Sequence, residues 1–493
     1  MCGLLIFVIF AKKSTMGRRN RQKFKLLEEI EILDAGSEGK AIAKFDEQVV
    51  FVPFVVPGDI VDIQIIKKKK KFLEGKAVKF HKYSDLRIDA KCSHFGVCGG
   101  CKWQNLSYEQ QLSYKQKQVK DNLERIGKID LPEINPILPS AEIFNYRNKL
   151  EYTFSDRKWL VDFDKNEPAD ERDMNGLGFH IPGMFDRIVD IETCYLQAEP
   201  SNAIRLEVKA YAIENGISFY NARRWEGMMR NLIIRNTNEG DLLVVPVFRY
   251  NEMEIIEPFM EHLKNKFPEI TSLMYIVNQK QNDDISDQEV ILYHGNDHMI
   301  ASMPSSNDSS KILKFKIQPK SFYQTNSDQA YNLYKIAAEY ADLKGDEHVY
   351  DLYTGTGTIA NFIAGSTKKV VGLEYVQSAI EDAFANSKFN DITNTHFEAG
   401  AIEKIMDDDF ITEHGTPDVI ITDPPRAGMH EKVIKQILKV APKKVIYISC
   451  NPATQARDLA LLDESYSVVK VQPVDMFPHT HHVENVVLLK LRA

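Results

Sequence analysis

The chain has 493 residues, of which 43% are hydrophobic and 27% charged, and 62 Lys and Arg against 70 Asp and Glu leave a net charge of −8. These are the proportions of a globular protein of roughly three domains at about 150 residues each, and they exclude a disordered or collagen-like chain. Six cysteines in so long a chain exclude a disulfide scaffold, and the tight grouping of three of them points to a reducing cytoplasm and a metal site.

The apolar run at residues 4–11 falls far short of the roughly 18–20 residues that span a bilayer. Its charges, Lys12 and Lys13, follow the run instead of preceding it, unlike a secretion signal. Met16 then opens a basic segment, so translation is expected to start there, with residues 1–16 a non-native or disordered extension. A short membrane-surface anchor is the competing reading.

Residues 17–82 carry 15 Lys and Arg against 10 Asp and Glu, so a basic module precedes an acidic body. Within it Val61, Ile63 and Ile65 alternate with Asp62 and Gln64 after the turn Pro57-Gly58-Asp59, the period of a half-buried strand. Short strands and the run Lys67–Lys71 predict a small β-barrel with a basic rim suited to phosphate backbones. Taken alone, the lysines also fit a solvated loop.

From 107 to 127 the pattern turns helical. Ser107 and Gln110 make a capping box, Leu112, Val119, Leu123 and Ile126 form one face, and Gly127 ends it. Residues 140–320 read mostly as strands, for example 232–235 and 242–248, broken by polar loops at 162–175, 280–289 and 304–310. No internal repeat is evident. From about residue 325 helix and strand alternate: a helix at 328–341, then strands at 348–353, 370–374, 418–422 and 444–449, the rhythm of a parallel doubly wound sheet. Two further strands, 467–472 and 485–491, flank a histidine-rich loop.

Cys92-x5-Cys98-x2-Cys101 offers three thiolates in one glycine-rich loop. His94 as fourth ligand would make a zinc site, whereas Cys194 would complete four thiolates and suit an iron-sulfur cluster; the spacing leaves the two equal.

The segment Asp351-Leu352-Tyr353-Thr354-Gly355-Thr356-Gly357-Thr358 joins the first strand of the alternating region to its helix. Glycines there permit a tight turn and close ligand approach at the carboxyl end of the strand, and Glu374 ends the next strand within reach of ribose hydroxyls. Gly355-x-Gly357-x-x-Ala360 also satisfies the loose dinucleotide fingerprint, so an NAD enzyme is a rival. Asp423-Pro424-Pro425-Arg426 and Ser449-Cys450-Asn451-Pro452 end two later strands on the same sheet edge, which favours S-adenosylmethionine and a planar base in one crevice. Carbon 5 of uracil is a poor nucleophile until a thiolate adds to carbon 6. Cys450 is the expected nucleophile, and Glu484, in His479-Thr480-His481-His482-Val483-Glu484, the expected base that removes the carbon-5 proton. A buried core role is the alternative for Cys450. The neighbouring histidines lack the helical spacing of a zinc site.

Together DLYTGTGT, DPPRAG, ISCNPAT and HTHHVENV resemble the RNA uridine-5-methyltransferase family, in particular its iron-sulfur 23S ribosomal RNA branch, from about residue 17 to 493. The resemblance implies a Rossmann-like class I S-adenosylmethionine-dependent methyltransferase domain at 326–493. It also implies an OB-like TRAM barrel at 17–82 and a β-rich central domain at 83–325 holding a 4Fe-4S cluster on Cys92, Cys98, Cys101 and Cys194. It further implies Cys450 as nucleophile, Glu484 as general base, Asp423 as a contact to cofactor or uracil, and Gln324, Tyr353, Gly355, Gly357 and Glu374 as cofactor-binding. Relatives often carry Asn after a Cys-Gly-x-Gly turn, where this chain has Thr354 and Thr358. The expected protein is a cytoplasmic monomer acting on 23S rRNA, with no membrane attachment. Transfer RNA uridine methylation is a rival of the same chemistry, and a noncatalytic iron-sulfur RNA-binding protein a rival of another class.

Overall fold

The computed structural model describes residues 25–161, 168 and 172–492, so the expected start at Met16 and the extension at 1–16 lie outside the described residues. The chain forms two compact units: the described residues up to Asp34 with Ala41–Ser84, and Ala35–Lys40 with Asp85 onward.

In the first unit alternating sequences fold as β1 (Leu26–Ala35), β2 (Lys40–Phe45), β3 (Gln48–Pro53), β4 (Ile60–Lys68) and β5 (Phe72–Lys82). They close into a barrel in the order β1-β2-β3-β5-β4. Inward positions such as Val50, Val52, Val61 and Ile63 are fully buried, as a period of two requires. The lysine run forms the β4–β5 turn, where the Lys69 N–H donates to the Phe72 carbonyl.

The second unit begins with α1 (Tyr108–Asn122), capped by the Ser107 hydroxyl and ending in a wider turn over Leu123–Gly127. A mixed sheet follows, built from β6 (Lys149–Ser155), β7 (Gly176–His180), β8 (Ile188–Asp190), β9 (Met229–Asn236), β10 (Leu242–Phe248), β11 (Ser272–Val277) and β12 (Val290–Gly295). Its order is β12-β11-β10-β9-β6-β7-β8.

Two helices, α2 (Ser201–Glu214) and α3 (Met253–Lys266), stand where the sequence reads mostly as strands. In α2 Ile204, Val208 and Ala212 form a buried stripe, and in α3 Ile256, Phe259, Met260 and Leu263 do. Pro258 inside α3 hides the helix from a reading by propensity; packing of the apolar stripe outweighs the hydrogen bond it removes.

A hairpin of β13 (Met299–Pro304) and β14 (Ile312–Ile317) leads into α4 (Ser327–Ala341). Then come β15 (His348–Leu352), α5 (Thr358–Ile363), β16 (Lys369–Glu374), α6 (Gln377–Phe389), β17 (Thr395–Ala399), α7 (Ile402–Ile405) and α8 (Asp408–His414). The chain ends with β18 (Val419–Thr422), α9 (Glu431–Val440), β19 (Lys444–Ser449), α10 (Pro452–Leu462), β20 (Tyr466–Val474) and β21 (Glu484–Leu491).

The final sheet has the order β17-β16-β15-β18-β19-β21-β20. Its first five strands run parallel, while β21 inserts antiparallel between β19 and β20. β17, which the sequence pattern does not reveal, is one of the two edge strands, β20 being the other. One face of this sheet shares an apolar core with the central sheet and α4, including Val245, Met274, Leu333, Val349 and Ile446. The other face packs on α9, α10 and Val119 of α1. Among the described residues no helix is long and apolar enough to cross a membrane.

Candidate active site

The carboxyl ends of the parallel strands β15, β16, β18 and β19 lie along one edge of the sheet, where open α/β sheets form their ligand crevice, and the turn after β15 lies at that edge. The Asp351 side chain, fully buried, accepts from the Thr354 hydroxyl (2.5 Å) and the Ala360 N–H (3.1 Å), tying the strand end to the start of α5. Tyr353, Gly355 and Gly357 all take positive φ, at 64°, 55° and 73°. A side chain at Gly357 would press on Ala383 and Phe397, whereas one at Gly355 would meet nothing within 4 Å. A side chain is therefore excluded at Gly357 by its neighbours, whereas Gly355 faces open space. The Glu374 carboxylate accepts from the Gly355 N–H (3.2 Å) and the Val376 N–H (3.0 Å), which holds it at the end of β16. Thr358 is buried and its hydroxyl lies 3.3 Å from that of Thr356, so it turns inward.

Gln324 lies in the turn before α4, and its carbonyl accepts from the Asn148 side chain (2.8 Å). The same turn is tied to the segment before β21, where Asn326 donates to the Met476 carbonyl (3.0 Å) and Gln329 to that of Asp475 (3.0 Å).

Two turns are locked together at the far side of the crevice. Asn451 caps α10 by accepting from the Ala453 N–H, while its amide nitrogen and the Thr454 hydroxyl both donate to the Arg426 carbonyl (3.0 and 3.2 Å). Cys450 thus stands between a strand end and a helix start, as DPPR and SCNP converge. Gln455 bridges the strand ends, donating to the Tyr447 and Asn485 carbonyls and accepting from the Asn485 amide. Ser449 pairs with Asn485, so Cys450 and Glu484, each one residue closer to the crevice, stand opposite one another.

The charges of this group act on one another. Burial pushes the Glu484 carboxyl up to about 8, with Asp423 adding to the shift and Arg426 opposing it. Burial and Asp351 push Asp423 up to about 7, and burial does the same to Asp351. Burial, then Glu484 and Asp423, raise the Cys450 thiol to about 11 against the pull of Arg426. Tyr334 of α4, absent from the sequence reading, is fully enclosed and its hydroxyl is raised by burial and by the fields of Asp423, Asp351 and Glu484. Burial thus shifts all three carboxyls toward their neutral forms, and a cation brought close to them would favour their ionised forms.

The segment from Asp475 to Glu484 is anchored from outside the sheet. Lys115 of α1, with no exposed side-chain surface, donates to the Asp475 carboxylate (2.6 Å), as does the Tyr108 hydroxyl (2.8 Å). Gln111 accepts from the His479 N–H (2.8 Å), and the Lys102 and Trp103 N–H groups donate to the His479 carbonyl. Burial holds His479, His481 and His482 neutral, pushed down to about 4, 4 and 3.

Cys92, Cys98, Cys101 and Cys194 are free thiols, none in a disulfide, and all four lie within electrostatic reach of one another. Burial first, and then the other thiols, push Cys98 up to about 12 and Cys101 to about 11. N–H groups already point at the sulfurs, from Gly100 to Cys98 (3.4 Å) and from the Gln104 amide to Cys101 (3.2 Å). His94 instead turns its Nε2 to accept the Glu192 N–H (2.9 Å). Four half-buried thiols gathered without bridging are a donor set that fits a thiolate-held cluster. Among the described residues, the group that brings three possible ligand atoms within 4.8 Å of one another is His396, Glu398 and His414; the cysteine sulfurs are spaced more widely than that.

Comparison with known proteins accounts for this architecture. The family model described as tRNA (uracil-5-)-methyltransferase matches residues 296–492, and the TRAM domain model matches residues 28–78. The chain is 57% identical over 459 residues to an uncharacterized RNA methyltransferase of Bacteroides thetaiotaomicron, covering 92% of this chain and 100% of that one. A Porphyromonas gingivalis protein of the same description is 53% identical over 467 residues, covering 93% and 99%. The crystal structure of the Pyrococcus abyssi tRNA (uracil-54, C5)-methyltransferase in complex with S-adenosyl-L-homocysteine superposes with a TM-score of 0.72 at 26% identity, covering 93% of this chain and all of that one. The chain therefore belongs to the uracil-5-methyltransferase family of S-adenosylmethionine-dependent RNA methyltransferases, with a TRAM barrel at its N-terminal side.

Proposed function

We propose that the protein methylates carbon 5 of a uridine in 23S ribosomal RNA through a covalent bond between Cys450 and the base. The observation that carries this reading is the position of Cys450 opposite Glu484 at the ends of β19 and β21, within the fields of Asp423 and Arg426. S-adenosylmethionine, when bound, supplies the methyl group on a positively charged sulfur. Gln324, Tyr353, Gly355, Gly357 and Glu374 would hold it, Glu374 through its ribose hydroxyls.

Once its proton has passed to solvent, the Cys450 thiolate adds its electron pair to carbon 6, and the electrons of the ring double bond make carbon 5 nucleophilic. Once carbon 5 carries the methyl group, Glu484 removes the remaining proton there. The electrons left behind re-form the double bond as the carbon 6–sulfur bond breaks and returns its pair to Cys450. Arg426 favours the ionised forms of both Cys450 and Glu484, and Asp423 is placed to contact the uracil or the cofactor.

On this reading residues 17–82 grip the RNA backbone, 83–325 hold a 4Fe-4S cluster on Cys92, Cys98, Cys101 and Cys194, and 326–493 carry out the chemistry, in a cytoplasmic monomer. The target base must leave its stack to reach the sulfur. The choice of 23S RNA rests on the resemblance of the cysteine pattern. A transfer RNA substrate is the second reading, favoured by the full-length likeness to the Pyrococcus abyssi enzyme. Mapping 5-methyluridine in ribosomal and transfer RNA from a deletion strain, before and after restoring the gene, decides between them. Unchanged 5-methyluridine in both RNAs would sink the proposal.

A further inference from the structure

Tyr108, Gln111 and Lys115 lie at i, i+3 and i+7 on α1, a spacing that marks one face of a helix. Such a buried face is normally apolar. Here Gln111 and Lys115 are both fully buried, and all three side chains converge on residues 475–479. Lys115 holds the first half of the stretch, donating to the Asp475 carboxylate (2.6 Å) and the Phe477 carbonyl (3.0 Å). Gln111 spends its whole amide on the join: its oxygen accepts the His479 N–H, and its nitrogen donates to the Trp103 and Leu106 carbonyls (3.0 Å each).

His479 has φ of 64°, a left-handed conformation that a non-glycine residue keeps only when its surroundings enforce it. The surroundings here are the Lys102 and Trp103 N–H groups on its carbonyl, Phe144 stacked on its ring at 4.4 Å, and the Tyr146 hydroxyl on the preceding carbonyl (3.0 Å). Burying a lysine and an amide costs desolvation that an apolar face would avoid, and such groups are retained in some folds because they specify one geometry. The geometry specified here is the path of the chain from Asp475 to Glu484. Cys450 is fixed by β19, the Asn451 cap and Gln455, which also ties Asn485 beside Glu484, but none of these touches residues 475–479.

We propose that Gln111 and Lys115 are positioning residues for Glu484, setting the general base against the ring after methyl transfer while leaving the attack of Cys450 untouched. The inference rests on the covalent reading above and extends it to residues that never meet the substrate.

The test uses the full-length protein, reconstituted anaerobically, with Gln111→Leu and the charge-balanced double variant Lys115→Met/Asp475→Leu. Two transcripts serve as probes, whichever of 23S rRNA and tRNA the native protein methylates, made with uridine or with 5-fluorouridine. Fluorine at carbon 5 leaves no proton to remove, so trapping of the methylated adduct on the fluorinated RNA reports Cys450 attack and methyl transfer without the base step. Trapping is expected within about threefold of native, turnover on uridine RNA at least tenfold lower, and methylated adduct accumulating on ordinary uridine. Backbone amide exchange at 475–484 should rise in both variants while β19 is unchanged. Trapping and turnover falling together, or neither falling, would overturn the proposal; should the double variant not fold, Gln111→Leu decides. A native protein that turns over uridine yet forms no adduct on fluorinated RNA would instead overturn the covalent reading itself.

Discussion

Cys450 and Glu484 stand opposite one another at the crevice end of an antiparallel strand pair, each one residue beyond the registered pair of Ser449 and Asn485. A sulfur and a carboxyl so placed can act in succession on adjacent ring carbons, and they need not act on the same step.

The two variants should therefore fail differently. Cys450→Ala is expected to abolish both turnover and any RNA adduct on denaturing gels. Glu484→Gln should still attack and methylate, so that a methylated adduct builds up while product release falls at least a hundredfold, within the range that general-base loss typically removes. Equal loss of adduct in both would take the base role from Glu484.

The raised carboxyls make a statement about pH. Glu484 is pushed up to about 8 from an ordinary value of 4.5 by burial, so the folded protein binds more protons than the unfolded chain between those limits. Stability contributed at this site is then greatest below about pH 4.5 and declines as pH rises through 8. Glu484→Gln, which cannot ionise, should raise the melting temperature more at pH 9 than at pH 5. For the native enzyme kcat/KM should climb from pH 6 to 9 as Asp423, Glu484 and Cys450 titrate as a coupled set. A flat profile over that range would contradict the assignment.

Alanine at the two glycines of the β15 turn separates packing from ligand space. At Gly357 the new methyl would sit 2.9 Å from Ala383 Cβ with φ at 73°, so a loss of about 2 kcal/mol or more in urea unfolding is expected. At Gly355 the methyl meets only open space, and the cost to stability stays at about 1–2 kcal/mol, the left-handed penalty alone. Its effect should appear in S-adenosylmethionine affinity, weakened at least tenfold by calorimetry. Unchanged affinity would remove Gly355 from the cofactor site.

For the thiol cluster, protein purified without oxygen should contain about four iron and four sulfide per chain and a broad visible absorbance. Cys194→Ser should lose most of it. Because Lys102 and Trp103 follow Cys101 directly and hold the His479 carbonyl, Cys101→Ser should also quicken amide exchange across 475–484. Stoichiometric zinc with no sulfide would reverse the cluster assignment.

The strands around the crevice were legible because each is a short apolar run ending in a turn: β15, β16, β18 and β19 lie within a residue or so of where the pattern puts them. α2 and α3 were not, since a proline in one and polar residues in both mask a stripe that only packing makes decisive. β17 is a five-residue edge strand, too short for periodicity to separate from a loop.

By itself the sequence determined the local devices: the glycine turn, the carboxylate ending β16, the prolines that stiffen two strand ends, and a cysteine and a glutamate set in turn-forming neighbourhoods. These depend on a few consecutive residues and their backbone preferences. Only the tertiary structure decided that β21 slips between β19 and β20, bringing Glu484 across from Cys450, and that Cys194 joins three distant thiols. It alone made Gln111 and Lys115 of α1 the buried anchor of residues 475–479, because the partners that satisfy these polar side chains lie hundreds of residues away along the chain.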